Sequence, residues 1–432
     1  MKTGQTDNSR KYTTKVRLSY FPPGLNDRPP GHSRPMTERV LVTGASIAGP
    51  TVAYWLDRAG YDVVVVERSP QLRLGGQNID VRGSGREVLR RMGLEQTLLA
   101  NGTTEKGTRF VDDSDATIAA FPAGDGSHDG PTAEMEILRG EFARILVESA
   151  GPRTEYRYGD RVVDVAQDAD GVDVTFASNA AERFDLVLFA DGIRSSSREL
   201  AFPAEAETTP VGLYTAYGIL PKRPSDDGWW RWYNAAGSRV ANLRPDNLGT
   251  TRFSLSWVSD DGGYETASTE EVVAALRATF ADVGWEVPRI LNSLGPGSEL
   301  YVDYLAQVQA PRWSNGRIGM LGDAAWCATP LSGMGTTLSV TGAYVLAGEL
   351  ARARDHRTGF EAFEARMRPF VNQAQKLPPG VPRVAHPKTT VGVAAFRTVL
   401  RLAGSKPVQA VTSRFLGPDA ATLELPDYEF RR

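Results

Sequence analysis

The chain has 432 residues, a formal net charge of −3 and a single cysteine, and 41% of its residues are hydrophobic and 23% charged. These values are typical of a globular protein long enough for two or three domains, and the dispersed Lys and Arg residues exclude a massed nucleic-acid-binding surface. One cysteine excludes an internal disulfide, and four scattered histidines leave no cluster of metal ligands.

No stretch approaches the length of an apolar membrane span, and no signal-peptide core precedes the first motif. We therefore predict a cytoplasmic protein, monomer or homodimer, with no membrane, metal or nucleic-acid partner. Residues 1–36 contain five prolines among polar residues and are predicted to be a disordered extension. Met36 directly precedes the first strand-like run, which makes it an alternative start and would leave residues 1–35 outside the native protein.

The stretch from residue 39 to residue 68 has the pattern of a βαβ unit. A short apolar run at 40–42 predicts a strand, and apolar residues at helical spacing predict a helix over 47–58. The β-branched run at 63–66 predicts a second strand, buried on both faces.

The turn of this unit, GASIAG at 44–49, is suited to a pyrophosphate, because N–H groups at a helix N-terminus carry partial positive charge. Gly44 and Gly49 permit the tight turn, Ser46 replaces the usual middle glycine, and Glu67, 23 positions after Gly44, can accept from a ribose hydroxyl. We predict a dinucleotide site, with an ordinary glycine-rich βαβ turn as the alternative. The predicted contacts are Gly44, Ser46, Ile47, Ala48, Gly49, Glu67 and Arg68.

Further polar residues stand at the starts of helices and the ends of strands. Arg139 falls in the first turn of a predicted helix, where a cation opposes the helix dipole, so it indicates an anionic partner, with a solvated arginine as the alternative. An Asp-Gly pair at 191–192 follows the apolar strand 184–189, and a Gly-Asp pair at 322–323 follows strand 316–321. Carboxyl ends of buried strands are where α/β sheets bind ligands.

The pattern changes to alternating strands from about residue 205 to residue 305, which predicts a β-rich domain inserted into the nucleotide-binding one. In one of these strands the first face carries Arg252, Ser254 and Ser256, and the second carries Phe253, Leu255 and Trp257. The nucleotide-domain pattern then returns, with a helix over 336–352 after a glycine-rich loop, and further helices are predicted over 358–376 and 390–404.

Three motifs stand in order, GASIAG at 44–49, DGIRSSSR at 191–198 and RIGMLGDAAWCATPLSGMG at 317–335. Together they resemble the single-component FAD-dependent aromatic hydroxylases, the family of para-hydroxybenzoate hydroxylase and the tetracycline-inactivating monooxygenases. The resemblance implies FAD as the cofactor and NADPH or NADH as co-substrate. It also implies that one atom of O₂ enters an aromatic, polycyclic or polyketide-like small molecule through a flavin C4a-hydroperoxide.

The resemblance implies an α/β fold, in which a Rossmann-like FAD-binding domain of the GR2 type is interrupted by a β-rich substrate domain and followed by C-terminal helices. The FAD-binding domain is predicted at 37–110, 136–204 and 311–355, a substrate-facing hairpin insertion at 111–135, the substrate domain at 205–310 and the C-terminal helical region at 356–432.

The resemblance also implies roles for individual residues. The first βαβ unit would hold the ADP half of FAD, and Arg139 would reach the flavin. Asp323 would bind the ribityl chain, the loop 330–335 would lie beside the isoalloxazine ring, and the pair at 191–192 would lie near both FAD and NADPH. The further implied cofactor residues are Asp191, Gly192, Gly322, Pro330, Gly333 and Gly335.

The chain departs from the commonest family pattern at three places. Trp326 stands where many members have His, and Thr337 and the pair Gly342-Ala343 stand where they have Asn and Asp-Ala. None of these changes removes the predicted ribityl carboxylate. Cys327 is predicted to be a buried structural thiol, with a covalent flavin link as the alternative.

The β-rich domain contains the aromatic run WWRWY at 229–233. Aromatic walls and an arginine suit a flat acidic or phenolic substrate, so Arg231, Arg244 and Trp257 are predicted substrate residues. Packing of the sheet against helices is the alternative for each. The chemistry would centre on the flavin, and no catalytic side chain is predicted.

Two other functions stay open. A flavin-dependent halogenase would bind FAD with the same unit, but the Trp-Arg-Trp at 230–232 is not followed by the Ile-Pro of that family's tryptophan motif. A non-catalytic dinucleotide-binding regulator would need neither the Asp-Gly pair at 191–192 nor the Gly-Asp pair at 322–323.

Overall fold

The computed structural model describes residues 37–430 apart from 104, 124–134, 204, 260–262, 265, 378–379 and 405–421. The predicted extension at 1–36 and the distal part of the predicted hairpin insertion lie outside the described residues. Among the described residues, no helix is both long and apolar enough to cross a bilayer, and no group of acidic, Cys and His side chains is arranged to hold a metal.

The described strands alternate with helices early in the chain and follow one another directly in its middle. The strands are β1 (Arg39–Thr43), β2 (Asp62–Glu67), β3 (Asn78–Asp80), β4 (Gly107–Val111), β5 (Thr117–Pro122), β6 (Glu136–Leu138), β7 (Thr154–Tyr158), β8 (Val162–Gln167), β9 (Val172–Phe176), β10 (Ala181–Phe184), β11 (Leu186–Phe189), β12 (Glu207–Pro221), β13 (Trp230–Ala235), β14 (Arg239–Pro245), β15 (Thr250–Val258), β16 (Tyr301–Gln309), β17 (Ser314–Asn315) and β18 (Ile318–Met320).

The α-helices among the described residues are α1 (Ala48–Ala59), α2 (Gly83–Arg91), α3 (Glu95–Ala100), α4 (Arg139–Glu148), α5 (Arg198–Ala201), α6 (Thr269–Thr279), α7 (Val287–Ser293), α8 (Asp323–Trp326), α9 (Gly335–Arg352), α10 (His356–Ala374), α11 (Val381–Ala385) and α12 (Thr390–Ala403). A 3₁₀ turn, Pro330–Ser332, leads toward α9.

A six-stranded sheet with the order β17-β18-β11-β1-β2-β7 forms the first layer. The strands from β18 to β7 run parallel, and short β17 is antiparallel at the edge. The valines at 63–66 are all buried, because helices cover both faces of a parallel sheet. Most of α9 is buried between this sheet's helices α1 and α10, so it forms the centre of the larger core.

A seven-stranded sheet with the order β16-β12-β15-β14-β13-β4-β5 forms the second layer. Helices α6 and α7 pack on one face of it and build a separate apolar core. Strand β4 pairs in parallel with β13, so the domain boundary predicted after residue 110 falls inside a strand of this sheet. Strands β8, β9 and β10 form a separate three-stranded antiparallel sheet.

The C-terminal region is helical only in part. Helices α10 and α12 agree with the helices predicted over 358–376 and 390–404, the short helix α11 was not predicted, and residues 422–430 form neither helix nor strand. This segment lies against α1 and α9, where Phe430 contacts Trp55 with ring centroids 4.7 Å apart and the Tyr428 hydroxyl donates to Glu349 at 2.7 Å. Aromatic anchoring to an existing surface replaces helix formation here. The mixed α/β architecture that the sequence predicts is confirmed.

Candidate cofactor and substrate site

The turn between β1 and α1 is built from backbone contacts that only glycine permits. Gly44 has a φ of +90°, and its N–H donates to the Val66 carbonyl at 2.7 Å. An added Cβ on Gly44 would lie 2.7 Å from the Ala190 carbonyl oxygen, and one on Gly49 would lie 1.9 Å from the Gly44 carbonyl oxygen. Helix α1 therefore begins directly against the ends of β1 and β11, and its first N–H groups lie at this turn.

Glu67 ends β2 beside the same turn and is 6% exposed. Its carboxylate accepts hydrogen bonds from the N–H groups of Ala45 and Ser69, each at 3.0 Å. Arg68, the next residue, is exposed. A small open cleft lies beside Glu67 and is lined by Ala45, Ser46, Glu67, Leu72, Arg73, Arg139 and Ala143.

Arg139 is the first residue of α4 and reaches this cleft from the opposite side. Its side chain passes Gly76, where an added Cβ would lie 3.2 Å from the Arg139 Cβ. Among the described residues the guanidinium has no hydrogen-bond or ion-pair partner, although its charge acts on Asp303 and Asp323. The cleft therefore contains a guanidinium without a direct ion-pair partner among the described residues, which suits an anionic ligand.

Asp191 shapes the turn that follows β11. Its carboxylate accepts from the hydroxyls of Thr43 at 3.2 Å and Ser195 at 2.6 Å, and from the Ser197 N–H at 3.4 Å. Gly192 has a φ of +90°, and an added Cβ there would have no atom within 4 Å. Asp191 thus joins the ends of two strands, while Gly192 borders open space.

The turn after β18 approaches the first one closely. An added Cβ on Gly322 would lie 2.9 Å from the Ala48 Cβ, so the turn meets the start of α1. Asp323 opens α8, and burial raises the pKa of its carboxyl group while the charge of Arg139 opposes the rise. An added Cβ on Gly335 would lie 4.0 Å from the Asp323 Oδ1.

Two residues with positive φ belong to this region, Gly333 within the loop from Pro330 to Gly335 and Thr329 directly before it. Gly333 has a φ of +64° and open space around it. Thr329 has a φ of +66°, which is rare for a β-branched residue, and its buried hydroxyl has no partner in the described part of the chain. Strained backbone of this kind clusters at functional sites.

The predicted cofactor residues come from separate stretches, and the structure brings most of them to one edge of the six-stranded sheet. The turns at 44–49, 67–68, 191–192 and 322–323 follow β1, β2, β11 and β18, which are parallel and adjacent. Their carboxyl ends therefore lie side by side. We call these turns, together with Arg139 and the loop 330–335, the cofactor edge.

Trp326 and Gly342, two departures from the family pattern, fit each other. Trp326 is 1% exposed and packs on Trp313, with ring centroids 4.4 Å apart. An added Cβ on Gly342 would lie 2.9 Å from the Trp326 ring. The glycine thus leaves the room that the large indole occupies in the core.

Cys327 is buried beside this indole, and its thiol donates to the Ala306 carbonyl at 3.6 Å. Burial raises the pKa of the thiol far above its ordinary value, which keeps it protonated and unreactive. Its surroundings are those of the structural thiol that the sequence predicts.

The two faces of the seven-stranded sheet differ. The predicted alternation in β15 is present, but Trp257 lies on the face covered by α6 and α7, where it contacts Phe280 and Tyr214 with ring centroids 6.3 and 5.3 Å away. Arg231 shares this face, is 1% exposed, and forms ion pairs with Asp226 at 2.7 Å and with Asp115 at 2.9 Å.

The three predicted substrate residues Arg231, Arg244 and Trp257 therefore do not lie together, and a role for each of them in substrate binding stays a prediction. Arg231 and Arg244 both border a small open cleft beside the start of β13 and the end of β14, but Trp257 does not line it. Alternation along a strand separates two faces without indicating which of them is covered.

The opposite face is polar at its centre and aromatic at its flanks. Cross-strand register places Thr215 beside Ser256, with their hydroxyls 2.9 Å apart, and Ser254 beside Asn242, whose amide oxygen accepts from the Ser254 hydroxyl at 2.6 Å. Trp230 also donates to Asn242, at 3.3 Å. We call this surface the polar face, which comprises Thr215, Tyr217, Trp230, Trp232, Asn242, Ser254, Ser256, Tyr301 and Asp303.

The polar face is turned toward the cofactor edge. Arg252 donates to the Gly76 carbonyl at 3.5 Å beside Arg139, and Arg194, from the turn after β11, lies 3.4 Å from Asp303. Sequence reasoning missed Asp303 and most of the polar face. Small polar residues at alternate positions of β12, β14 and β15 were the available signal, but their strand partners are not visible in a sequence.

Arg244 lies at the margin of this face, in a buried charge cluster that joins β14 to the β3–β6 pair. It contacts Glu105 at 2.7 Å, Glu136 at 3.0 Å and Asp80 at 3.3 Å, under the ring of Trp230. Burial, opposed by Arg244 and reinforced by Glu136, raises the pKa of Glu105 to about 8. Arg244 is thus engaged within the protein.

Comparisons with known proteins agree with this geometry. The sequence matches the family described as FAD binding domain over residues 37–376. It is 34% identical over 341 residues to a flavin-dependent monooxygenase of Legionella longbeachae serogroup 1, covering 78% of this chain and 87% of that protein. It is 30% identical over 421 residues to the FAD-dependent monooxygenase asL4 of Sarocladium schorii, covering 90% and 98%.

Among solved structures, the tetracycline destructase Tet(51) is 27% identical with a TM-score of 0.75, and the match covers 91% of this chain and 100% of that chain. The relatives are monooxygenases, which favours this activity over the halogenase and regulator alternatives. The chain therefore belongs to the FAD binding domain family and is an FAD-dependent monooxygenase.

Proposed function

We propose that this monooxygenase hydroxylates a flat aromatic or polycyclic small molecule that carries a phenolic or enolic hydroxyl, with NADPH or NADH as the reductant. The observation that carries the proposal is the polar face, which is turned to the cofactor edge, whereas α6 and α7 cover the opposite face of the same sheet. A ligand between the two layers would touch both regions.

The residues at the cofactor edge fit FAD. The start of α1 offers N–H donors and Arg139 an unpaired guanidinium, which together suit a diphosphate. Glu67 borders the same cleft and suits ribose hydroxyls. We assign Asp323 to the ribityl hydroxyls, and the open space at Gly192 and Gly333 to the remainder of the cofactor. When bound, FAD supplies the redox chemistry, taking electrons from NAD(P)H and activating O₂.

The polar face would orient the substrate. Its central hydroxyls and amide are small and hydrogen-bonded to one another, while Tyr217 and Tyr301 stand at one flank and Trp230 and Trp232 at the other. Aromatic flanks suit a planar ring system, and a polar centre can exchange its internal hydrogen bonds for bonds to ligand hydroxyls.

Tet(51), the similar solved structure, is a tetracycline destructase, and tetracyclines are fused-ring compounds with phenolic and enolic hydroxyls. This chemistry matches the polar face, so tetracycline is a suitable first probe. A smaller phenol, 1-naphthol, tests whether the site needs the larger ring system.

The test begins with the absorbance spectrum of the purified protein, followed by NADPH under nitrogen and then air, with each probe in turn. We expect flavin bands that bleach with NADPH and recover with O₂, and a product one oxygen atom heavier than the probe by mass spectrometry. A protein that cannot be loaded with FAD would contradict the proposal. A chlorinated product that depends on added chloride would favour the halogenase instead.

A further inference from the structure

Asp303 lies on the polar face at the edge nearest the cofactor residues. It stands on β16 opposite Thr215, which in turn stands opposite Ser256 on β15. Its side chain is 13% exposed, so the carboxylate is largely shielded from water. The proposed function described so far gives this carboxylate no role.

Charged and titratable groups from several elements surround Asp303. Arg194, from the turn after β11, is its ion-pair partner at 3.4 Å and is itself 42% exposed. The other such groups that act on it or respond to it are Arg139 of α4, Tyr217 of β12, Tyr301 of β16, Asp323 of α8 and Cys327.

Burial is the largest cause of the perturbed acidity of Asp303, and the charge of Asp323 adds to it. Arg194, Arg139 and the Tyr301 hydroxyl act in the opposite direction, and the pKa of Asp303 is raised to about 6. Near neutral pH the carboxylate is therefore mostly ionised, yet more basic than an ordinary aspartate. Efficient general bases have a pKa close to the working pH.

On the basis of the proposed function, we propose that Asp303 is the base that accepts the hydroxyl proton of a phenolic or enolic substrate bound on the polar face. The substrate O–H bond breaks, an O–H bond forms on the Asp303 carboxyl group, and the electron pair stays on the substrate oxygen. No atom is oxidised in this step. Asp303 then passes the proton to solvent beside Tyr301, which is 44% exposed.

The transfer would prepare the substrate for oxygenation. A phenolate or enolate carries more electron density on its ring carbons than the neutral hydroxyl compound, so it reacts more readily with an electrophilic oxygen. Arg194 lies beside the carboxylate that loses its charge, and its guanidinium is placed to stabilise the new anion.

The alternative is a purely structural role, in which the Asp303–Arg194 ion pair only holds the turn after β11 against the seven-stranded sheet. Ion pairs with a partly exposed partner contribute little to stability. A structural role would alter the melting temperature and leave the acidity of a bound phenol unchanged. If Asp303 accepts the proton, its replacement changes the acidity of a bound phenol. The acidity of a bound phenol is therefore the decisive readout.

The probe is 4-nitrophenol, whose phenolate is yellow and whose neutral form is not. FAD-loaded wild type, Asp303→Asn and the matched control Asp173→Asn, an exposed carboxylate on β9, are saturated with it at pH values from below the pKa of Asp303 to above that of the probe. Difference spectra against the same holoenzyme remove the flavin bands. We expect the bound probe to become phenolate in two steps with wild type and the control, the first of which follows the ionisation of Asp303, and in one step with Asp303→Asn.

Turnover of tetracycline gives a second readout. Asp303→Asn is expected to lower kcat/KM about 100-fold above the pKa of Asp303, because general base catalysis contributes a factor of about that size. The fall of kcat/KM at acidic pH, which reports protonation of the base, should also be lost. Asp303→Glu keeps a carboxylate and should recover part of both signals, which guards against a variant that merely folds poorly.

Phenolate formation by Asp303→Asn equal to wild type would overturn the inference. So would a wild type whose flavin spectrum is not perturbed by the probe, because the polar face would then not hold a phenol. Failure of the proposed function is seen separately, as absence of bound FAD or of NADPH oxidation under air, and these are measured on the same preparations before the probe is added.

Discussion

The cofactor edge and the polar face lie opposite each other, but they are built in different ways. The cofactor edge depends on backbone geometry, since added Cβ atoms at Gly44 and Gly49 would lie 2.7 and 1.9 Å from carbonyl oxygens. The polar face depends on side chains that strand register brings together, such as Thr215 with Ser256 and Ser254 with Asn242. The cofactor edge therefore tolerates few substitutions. On the polar face, substitutions can change which ligand binds while the sheet keeps its fold.

The difference also separates their tasks. FAD is bulky and constant in shape, so a site made of N–H groups and glycines suits it. A substrate differs from one enzyme to the next, and hydroxyls, amides and aromatic rings on a rigid sheet are the means of selecting it. Substitutions in the two regions should thus separate flavin binding from substrate binding.

Gly49→Ala is expected to have the largest effect, because its Cβ would collide with the Gly44 carbonyl oxygen at 1.9 Å. The start of α1 would have to move away from β1. We expect a loss of about 3 kcal/mol or more in unfolding free energy, with little flavin retained after purification. Denaturant unfolding and the ratio of flavin to protein absorbance measure both quantities.

The matched control is Gly295→Ala, since an added Cβ there meets no atom within 4 Å and the residue lies in the loop after α7. Its flavin content should equal that of wild type. A Gly49→Ala protein that holds FAD normally would show that the edge is more plastic than its contacts suggest.

The cofactor edge was largely predictable because its signals are local in sequence. The run 63–66, the glycines at 44 and 49, and Glu67 lie within one βαβ unit, and neighbouring residues determine each turn. The ends of β11 and β18 were predictable for the same reason, since parallel buried strands have a strong apolar pattern. Which cofactor atoms each residue contacts stays a prediction.

The polar face was not predictable because it depends on contacts between distant strands. The alternation of β15 was predicted, but the sequence did not indicate that Trp257 and Arg231 lie on the face covered by α6 and α7, and their substrate role stays a prediction. Asp303 has no local signal at all, since its environment comes from Arg194 and Asp323, which are far away in the chain. Likewise, the segment 422–430 forms neither helix nor strand, and its contact with Trp55 joins residues far apart in the chain.

Gly342→Ala tests the departure from the family pattern beside the cofactor edge. Its Cβ would lie 2.9 Å from the Trp326 ring, and overpacking of a close-packed core costs about 1–3 kcal/mol. Combining it with Trp326→Phe should return part of that loss, so that the two effects are not additive. Gly284→Ala, with no neighbour within 4 Å, serves as the control. Strict additivity in chemical unfolding would contradict the complementarity.

Glu105→Gln tests the buried charge cluster around Arg244 through the pH dependence of the unfolding free energy. The pKa of Glu105 is raised to about 8, so the folded chain keeps a proton that the unfolded chain releases above its ordinary carboxyl pKa. Stability contributed by this group is therefore complete at low pH and is lost as the pH rises toward 8. Glutamine mimics the protonated form, and it should remove a loss of up to about 1.4 kcal/mol per pH unit.

Unfolding free energies measured at several pH values between the ordinary carboxyl pKa and 8 test this expectation. Glu155→Gln, an exposed carboxylate on β7, should leave the wild-type pH dependence in place. Parallel curves for wild type and Glu105→Gln would show that the Arg244 cluster holds Glu105 ionised in the folded protein.

Ser256→Ala is the mildest of these changes and the sharpest test of the comparison. It removes the hydroxyl that pairs with Thr215 at 2.9 Å and leaves the fold of the sheet intact, so the expected loss of stability is about 1 kcal/mol. Flavin content should not change, because the hydrogen bond lost with the Ser256 hydroxyl joins it to Thr215, which is not part of the cofactor edge. The Kd of tetracycline, measured by flavin difference spectra, should rise several-fold.

Ser178→Ala, an exposed hydroxyl bonded to Asp160, is the control for a lost serine hydrogen bond away from both regions. If Ser256→Ala lowered flavin content as strongly as tetracycline binding, the two regions would not be separable, since a change confined to one sheet would be felt at the other. If it altered tetracycline binding alone, the polar face would act as an independent specificity surface, because its hydroxyls would contribute to the ligand without supporting the cofactor.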